Sequence, residues 1–478
     1  VSVIFLLEQN SKKKELLMLQ RSRYNYFVKR QEGVIGYNAR KGIFALLSPY
    51  IAELLQGEEP ITEVRNEQEF VSMGFLHYGD EIEQIISKFE NAKQTKNVLD
   101  FTILPTLACN FSCDYCFQGD HQHGQFMSPE TQTATMRYIQ SLIVEDRKAF
   151  ACTWFGGEPL LAKETVLKMS RQLNNLANAT VGHPSAMKII TNGILLNSNT
   201  ARELSEVGIN FAQVSFDSLV FKSSKKRGVM DATGEPSIIL RNVIAAGEYL
   251  TVRVRINVSA ENLHEVPKMI KFLSEHGISN VYAERVFAHE DEFGLTNNSD
   301  CTSGSCGGCG SQETLEAEFS SSLSRSGYAN FEKEHFLNRL LDRPEALKDL
   351  VKKLVPKTHV CGATLGNMHV IDPAGYVSRC WHSAGSLSEA MGNIHEMNHS
   401  IDSSDIAQRW QEFSPFAYPA CKNCNVLPLC MGGCSHPRVF MDATEPPCDS
   451  IKQQIQFCVD QVGAVIQVPT EKPELVSR

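Results

Sequence analysis

Six strands alternating with five helices between residues 98 and 288 constrain this chain more than any other feature. Runs rich in β-branched and aromatic residues fall at 98–104, 150–155, 187–191, 211–216, 252–258 and 281–286. Segments with apolar residues at helical spacing lie between them, at 129–144, 163–177, 200–206, 237–249 and 263–276. Strands separated by helices pair in parallel through right-handed crossovers. The fold class expected is therefore α/β, a partial (β/α)6 barrel of the TIM kind, with functional groups at the carboxyl ends of its strands.

The flanking segments differ from this core. Residues 1–96 suggest a small α+β unit, with paired strands at 25–30 and 33–37. Helical spacing of Ile43, Leu46, Leu47, Tyr50, Ile51 and Leu54 predicts a helix over 41–55, and a second helix is expected at 82–89. The core is taken as 97–288. Residues 289–360 form a linker, whose polar, Gly-rich first part holds Cys301, Cys306 and Cys309 and whose stretch 331–355 is helical in pattern. Residues 361–478 are rich in Cys and Gly with sparse helix signals, as in a segment held together by metal.

With 478 residues, two or three domains are expected. A net charge of −9 argues against nucleic-acid or anionic-membrane partners, which are bound by clustered cations. No apolar run approaches the roughly 20 residues of a membrane-spanning helix. Residues 1–7 read as a strand and not as a signal peptide, because no basic leader precedes the apolar run. The chain holds 15 cysteines, many spaced two to five residues apart, which suits metal clusters better than disulfides and points to a reducing cytoplasm.

Cys109, Cys113 and Cys116 follow the first strand in a CxxxCxxC pattern, with Tyr115 before the last cysteine. Three thiolates can ligate three irons of a [4Fe–4S] cube and leave the fourth open, whereas a structural zinc site closes with four ligands. Phe155-Gly156-Gly157-Glu158-Pro159 ends the second strand, and Ser215-Phe216-Asp217 ends the fourth, with Arg227 beyond it. Cys361, Gly375 and Cys380 stand in a C-x13-G-x4-C pattern. Cys421, Cys424, Cys430 and Cys434 follow as C-x2-C-x5-C-x3-C, and Cys448 completes the array.

These motifs resemble the radical S-adenosylmethionine (SAM) superfamily, and the second array resembles its SPASM domain. The resemblance implies SAM chelated at the open iron and cleaved to a 5′-deoxyadenosyl radical, plus two auxiliary [4Fe–4S] clusters, three clusters in all. It implies that Gly156, Gly157 and Glu158 bind the SAM amino group and that Ser215 and Asp217 contact the ribose. It further implies Arg227 on the SAM carboxylate and Tyr115 near adenine. Arg227 stands among Lys222, Lys225 and Lys226, so a solvated basic loop is a competing reading, as core packing is for Tyr115. An outer cluster would be held by Cys421, Cys424, Cys430 and Cys448, and an inner one by Cys361, Cys380 and Cys434. The eighth ligand is open between a substrate cysteine and Cys301, Cys306 or Cys309. Cys152 and Cys458 are expected to be structural.

SPASM relatives commonly modify peptides. The resemblance therefore implies a peptide or protein substrate with a leader sequence, and a reducing donor such as flavodoxin or ferredoxin. Residues 1–96 would bind the leader at a strand edge or simply cap the core. A sulfatase-maturase reading, with formylglycine as product, competes. Those enzymes carry an Asp directly after the second auxiliary cysteine, where this chain has Trp381 and then His382, a weak candidate base. A non-catalytic iron–sulfur electron carrier or scaffold is the alternative outside enzymes.

Overall fold

Alternation along the central strands separates two faces. The structure, a computed structural model, describes residues 18–465 apart from 62–63, 95–97, 117, 119–123, 144–148, 181, 183–184, 222–225, 287–322, 324, 337–343, 397–400, 441–447 and 449–450. The expected strand at 1–7 and the cysteines 301, 306 and 309 lie outside the described residues.

Five short strands precede the core: β1 (Leu19–Arg21), β2 (Asn25–Lys29), β3 (Val34–Asn38), β4 (Ile43–Leu47) and β5 (Leu76–Tyr78). β2, β3 and β4 form an antiparallel meander, and β1 pairs with β5. The helix expected over 41–55 is divided here. Ile43–Leu47 pairs with β3, and the helix is Pro49–Gln56. Proline lacks the N–H that a helix interior needs and is tolerated only in the first turn. Ser48 caps that turn, its hydroxyl accepting from Ile51 N at 3.3 Å. The other expected helix runs from Glu81 to Gln94.

The core strands are β6 (Val98–Ile103), β7 (Ala149–Trp154), β8 (Ala186–Thr191), β9 (Ile209–Phe216), β10 (Ser218–Val220), β11 (Gly228–Met230), β12 (Thr251–Val258) and β13 (Val281–Arg285). Leu99, Phe101, Ile103, Phe150, Trp154, Val214, Phe216, Val254 and Ile256 bury one face beneath the helices. Those helices are Pro129–Leu142, Lys163–Thr180, Ser198–Glu206, Ile238–Ala246 and Val266–Glu275. Cys152 belongs to the same buried core, and burial pushes its thiol far up, as a structural cysteine requires. The alternate residues Asp100, Thr102, Thr153, Lys188, Gln213, Ser215, Arg253, Arg255 and Asn257 occupy the other face, as the period of two dictates.

Six parallel strands in the order β13-β12-β9-β8-β7-β6 carry this face. The sheet then continues through β14 (Met368–Ile371), β15 (Tyr376–Ser378) and β16 (Gly392–Asn393). β14 pairs in parallel with β6, so a strand from the cysteine-rich segment extends the core sheet. Behind this seam, His369 bonds Tyr138 Oη through Nδ1 at 2.8 Å, and fully buried Arg379 reaches Asp402 at 2.5 Å.

In the 331–355 stretch the structure shows the end of Arg325–Phe331, a π-helical turn Glu332–Phe336, and Pro344–Lys353. Beyond Cys361 the described helices are short until Ile451–Val465, which buries Cys458. That last helix packs on the N-terminal meander. Arg30 pairs with Asp460 at 2.7 Å, and a Cβ at Gly463 would stand 2.9 Å from Ile35 Cγ2. Among the described residues no helix is long and apolar enough to cross a membrane.

Candidate metal centres and active site

The loop after β6 carries Cys109, Cys113 and Cys116 over the carboxyl ends of the parallel strands. It is held there by the glycines of the next strand end. Gly157 N donates to Thr106 O at 3.2 Å and Glu158 N to Ala108 O at 2.8 Å. A Cβ on Gly157 would stand 2.2 Å from Ala108 O, and one on Gly156 2.3 Å from Thr106 O; Gly156 also has φ +133°. The close approach that these glycines permit is thus to the cysteine loop itself.

Glu158 is fully buried, and its carboxylate accepts from Leu160 N at 3.0 Å, Thr191 Oγ1 at 2.8 Å and Asn192 N at 2.8 Å. Burial raises its pKa above the usual carboxylate range, despite those hydrogen bonds and the charge of Arg227. Asn192 in turn donates to Asn110 Oδ1 at 2.6 Å, beside Cys109. Glu158 therefore joins the ends of β7 and β8 to the cysteine loop.

A second polar group stands at the ends of β9 and β12. Arg227 Nε donates to Asp217 Oδ2 at 2.6 Å, and Nη2 donates to Oδ1 at 3.0 Å and to Tyr115 Oη. Tyr115 also donates to Asp217 Oδ1. Asn257 donates to both Tyr115 Oη and Asp217 Oδ1 at 2.9 Å, and Asn262 braces the Asp217 carbonyl at 2.6 Å. Burial pushes the Asp217 carboxyl up, but the charge of Arg227 and the hydrogen bonds of Arg227 and Tyr115 outweigh it and hold the pKa low. Ser215 is buried in β9 two residues before. The sequence marked Tyr115, Asp217 and Arg227 separately; the structure makes them one bonded unit. Asn257 and Asn262 were missed, although Asn257 sits at a strand carboxyl end, where such groups are expected.

All three thiols of the loop have raised pKa values, chiefly through burial, that of Cys113 to about 11. Cys116 acts electrostatically on both Cys109 and Cys113, so the three share one neighbourhood, with Arg227 close to each. Phe111 N donates to Cys109 Sγ at 3.3 Å, the type of N–H···S contact that supports a cluster thiolate. No disulfide joins the described cysteines. Among the described residues no three His, Cys, Asp or Glu side chains are arranged to hold a single metal ion. A cube asks instead that each thiolate meet a different iron, and the donor set is the soft one that such clusters take.

The C-terminal cysteines fall into two further neighbourhoods. Cys380 is acted on by Cys434 and Cys361, and burial pushes its thiol far up. Cys361 Sγ lies 3.8 Å from Ser435 Oγ. Cys421 is acted on by Cys448 and Cys424. Cys424 and Cys430 both act on Tyr26, which places Cys430 with this second group. Gly432 N donates to Cys430 Sγ at 3.4 Å. Three buried polar atoms without a hydrogen-bond partner among the described residues lie near these thiols: Tyr24 Oη and Tyr26 Oη by Cys424, and Arg438 Nε by Cys421. Orphaned donors near thiols fit a sulfide-bearing group.

Trp381 follows Cys380 and bridges to the first site. Its ring stacks on Phe155 at 5.5 Å between centroids, and Nε1 donates to Thr102 Oγ1 at 2.9 Å. The His382 ring lies 5.7 Å from that of His436, whose Nε2 meets Glu389 at 2.8 Å.

Residues 103–273 match the model of the radical SAM superfamily. Among curated proteins the chain is similar to a probable GTP 3′,8-cyclase of Sulfurisphaera tokodaii, at 26% identity over 39% of this chain and 56% of that one. It is also similar to the Fe-coproporphyrin III synthase of Methanosarcina barkeri, at 24% identity over 43% of this chain and 48% of that one. The chain thus spans only about half of these two relatives. Similarity to the radical SAM cyclopropyl synthase TigE of Paramaledivibacter caminithermalis is 22% over 77% of this chain and 75% of that one. Among solved structures, anSMEcpe with bound AdoMet and the Cp18Cys peptide superposes with a TM-score of 0.55 at 19% identity, covering 77% of this chain and 99% of that one. Streptococcus suis SuiB bound to precursor peptide SuiA gives 0.50 at 13%, covering 90% and 98%. These likenesses establish the fold.

Proposed function

The chain carries a radical SAM domain over residues 103–273, and we propose that it uses that domain to modify side chains of a ribosomally made peptide, joining them by a cross-link. One observation carries this reading: Cys109, Cys113 and Cys116 stand beside the Arg227–Asp217–Tyr115 unit, at the strand ends where this fold places its chemistry. On this reading Cys109, Cys113 and Cys116 hold the cluster that binds SAM. Cys361, Cys380 and Cys434 hold the inner auxiliary cluster, and Cys421, Cys424, Cys430 and Cys448 the outer one. When bound, the first cluster and SAM supply hydrogen abstraction from an unactivated carbon.

The chain's own residues orient and enclose. Asp217 takes two nitrogens of Arg227 and so fixes the plane of its guanidinium, leaving Nη1 without a partner among the described residues for a ligand carboxylate. Glu158 holds Asn192 against Asn110 and keeps the cysteine loop in place. On this reading Gly156, Gly157 and Glu158 bind the SAM amino group, Ser215 and Asp217 contact the ribose, and Tyr115 lies near adenine.

The names of two similar structures support a peptide substrate: SuiB with its precursor peptide and anSMEcpe with its bound peptide. The unpaired edge that the three-stranded meander presents among the described residues would capture an extended leader. A reducing donor such as flavodoxin or ferredoxin would feed the first cluster. Formylglycine formation is disfavoured by Trp381, which stands after Cys380, stacked and bonded to Thr102, and has no basic nitrogen.

Anaerobically reconstituted protein given dithionite and SAM should release 5′-deoxyadenosine, and Cys113→Ala should release none. Intact clusters without that product would leave an electron carrier as the reading. Co-expression with a short peptide encoded beside this gene should lower the peptide's mass by two hydrogens. A gain of one methyl group would contradict cross-linking.

A further inference from the structure

The N-terminal meander reaches the outer cysteine group. Tyr24, at the turn into β2, and Tyr26, within it, are 0% and 8% exposed, and neither hydroxyl has a hydrogen-bond partner among the described residues. Both rings share one apolar cluster with Cys421, Val426, Leu427 and Leu429, against which Cys424 and Cys430 pack. Cys424 and then Cys430 lead the charges that act on the Tyr26 hydroxyl, whereas on that of Tyr24 Glu81, Arg23 and Arg40 act before Cys424. A buried hydroxyl left unpaired costs about 1–3 kcal/mol, and two so close in the chain ask for an acceptor.

Arg438 approaches the same group from the other side. It is 7% exposed, and its guanidinium lies 5.0 Å from the Phe413 ring and 4.4 Å from the Tyr418 ring. Nη2 donates to Gly432 O, Nη1 points to Cys421 Sγ at 3.8 Å, and Nε has no partner among the described residues. Cys421 Sγ is thus a group within reach of this cation that can become an anion. A buried cation requires a counter-charge. Lys452 Nζ adds a second positive charge 3.7 Å from Cys448 Sγ. The inner group has a different setting. Glu389 acts on Cys380, and Glu389 bonds His436 beside it.

We propose that Tyr24, Tyr26 and Arg438 are the hydrogen-bond donors that enclose the outer cysteine group, so that the N-terminal unit helps set that cluster's reduction potential and holds it above the potential of the inner one. The inference rests on the reading that Cys421, Cys424, Cys430 and Cys448 carry a [4Fe–4S] cluster. Its physical basis is simple. An added electron makes the cluster more negative, and donors or cations at its sulfurs stabilise that state. Removing them must shift the potential to more negative values. The three are positioning residues, not catalytic ones.

The test uses the full chain, reconstituted anaerobically, with iron and sulfide counted and each potential read by redox titration with electron paramagnetic resonance. The signal lost in Cys424→Ala identifies the outer cluster. A wild type lacking that signal would remove the underlying reading. With the signal present, Tyr24→Phe/Tyr26→Phe should shift that one potential negative and leave the other two in place. Loss of iron from that site alone also supports the proposal, because the rings are retained and only the O–H groups are gone. Full iron with an unmoved potential overturns it. Should the double variant fail to fold, Arg438→Met read against Arg438→Lys decides. A negative shift or iron loss in Met but not in Lys supports a charge at the sulfurs. Equal behaviour of the two variants overturns it.

Discussion

At the scale of single residues, the candidate active site rests on two arrangements that respond differently to substitution. The first is the buried pair Arg227–Asp217, whose side chains are 12% and 4% exposed. Its carboxyl has a folded pKa below the ordinary value of about 3.9. A depressed carboxylate adds stability that is present above its unfolded pKa and is lost as pH falls through the folded one. Asp217→Asn leaves a buried guanidinium without its partner, an effect on the order of 3–5 kcal/mol at neutral pH. The midpoint gap between variant and wild type in denaturant should be widest near pH 7 and close progressively below about pH 4. A gap independent of pH would show that Asp217 acts through shape alone. The second arrangement is steric. Gly157→Ala places a methyl 2.2 Å from Ala108 O and 2.4 Å from Leu107 O, both backbone atoms of the cysteine loop. The loop must move, so the variant should keep its helical circular dichroism yet lose the iron bound at Cys109, Cys113 and Cys116. Retention of that iron, by metal analysis of a variant lacking the C-terminal cysteines, would contradict the arrangement.

At the scale of elements, the sequence made the central sheet legible because each long strand alternates buried and polar positions and each crossover carries a full amphipathic helix. Val98–Ile103 and Thr251–Val258 follow the expected 98–104 and 252–258 closely. Elements that depend on a partner were not legible. Ile43–Leu47 lacks a strand signature of its own, and its apolar positions also fit a helical period; pairing with Val34–Asn38 decides the matter. Ser48-Pro49 was the available signal for where the helix must start. Met368–Ile371 is only four residues long, and nothing local indicates that it joins β6. The same holds for the site. The cysteine spacings singled out the candidate ligands, but Asn257 and Tyr24 enter through tertiary contact and carry no motif. The β6–β14 seam makes a prediction at this scale. Ile371 is fully buried and pairs with Ile103. Ile371→Ala should destabilise by about 2–5 kcal/mol. The loss should appear as faster amide exchange in 368–371 and in 98–103 together. Faster exchange in 368–371 alone would mean that the two strands do not stabilise one another.

For the whole molecule, two parts are stabilised by different physics. Residues 98–285 bury a continuous apolar core beneath five helices, to which Ile371, Val377, Met391, Ile394 and Ala407 of the C-terminal segment add one margin. The segment from Cys361 to Phe440 has strands of two to four residues, and its described helices reach eight at most. Elements that short cannot offset their ordering entropy alone, and in metal-held domains the free energy of binding is the free energy of folding. The N-terminal meander belongs to this second part through its core. Tyr24, Tyr26 and Tyr37 pack with Cys421, Leu427, Leu429 and the helix Ile451–Val465, and Tyr37 Oη donates to Leu354 O. Sequence distance is no guide here, since residues near 30 are tied to residues near 460. Iron removal should therefore act on both ends of the chain at once. After anaerobic chelation, amide exchange should rise across 361–440 and across β2, β3 and β4, while β7, β8, β9 and β12 keep their protection. The alternative is that the meander is an independent leaf whose hydrogen bonds do not depend on the cysteine groups. In that case its exchange would stay slow while 361–440 opened, and coupling between the N-terminal unit and the outer cluster would fall with it.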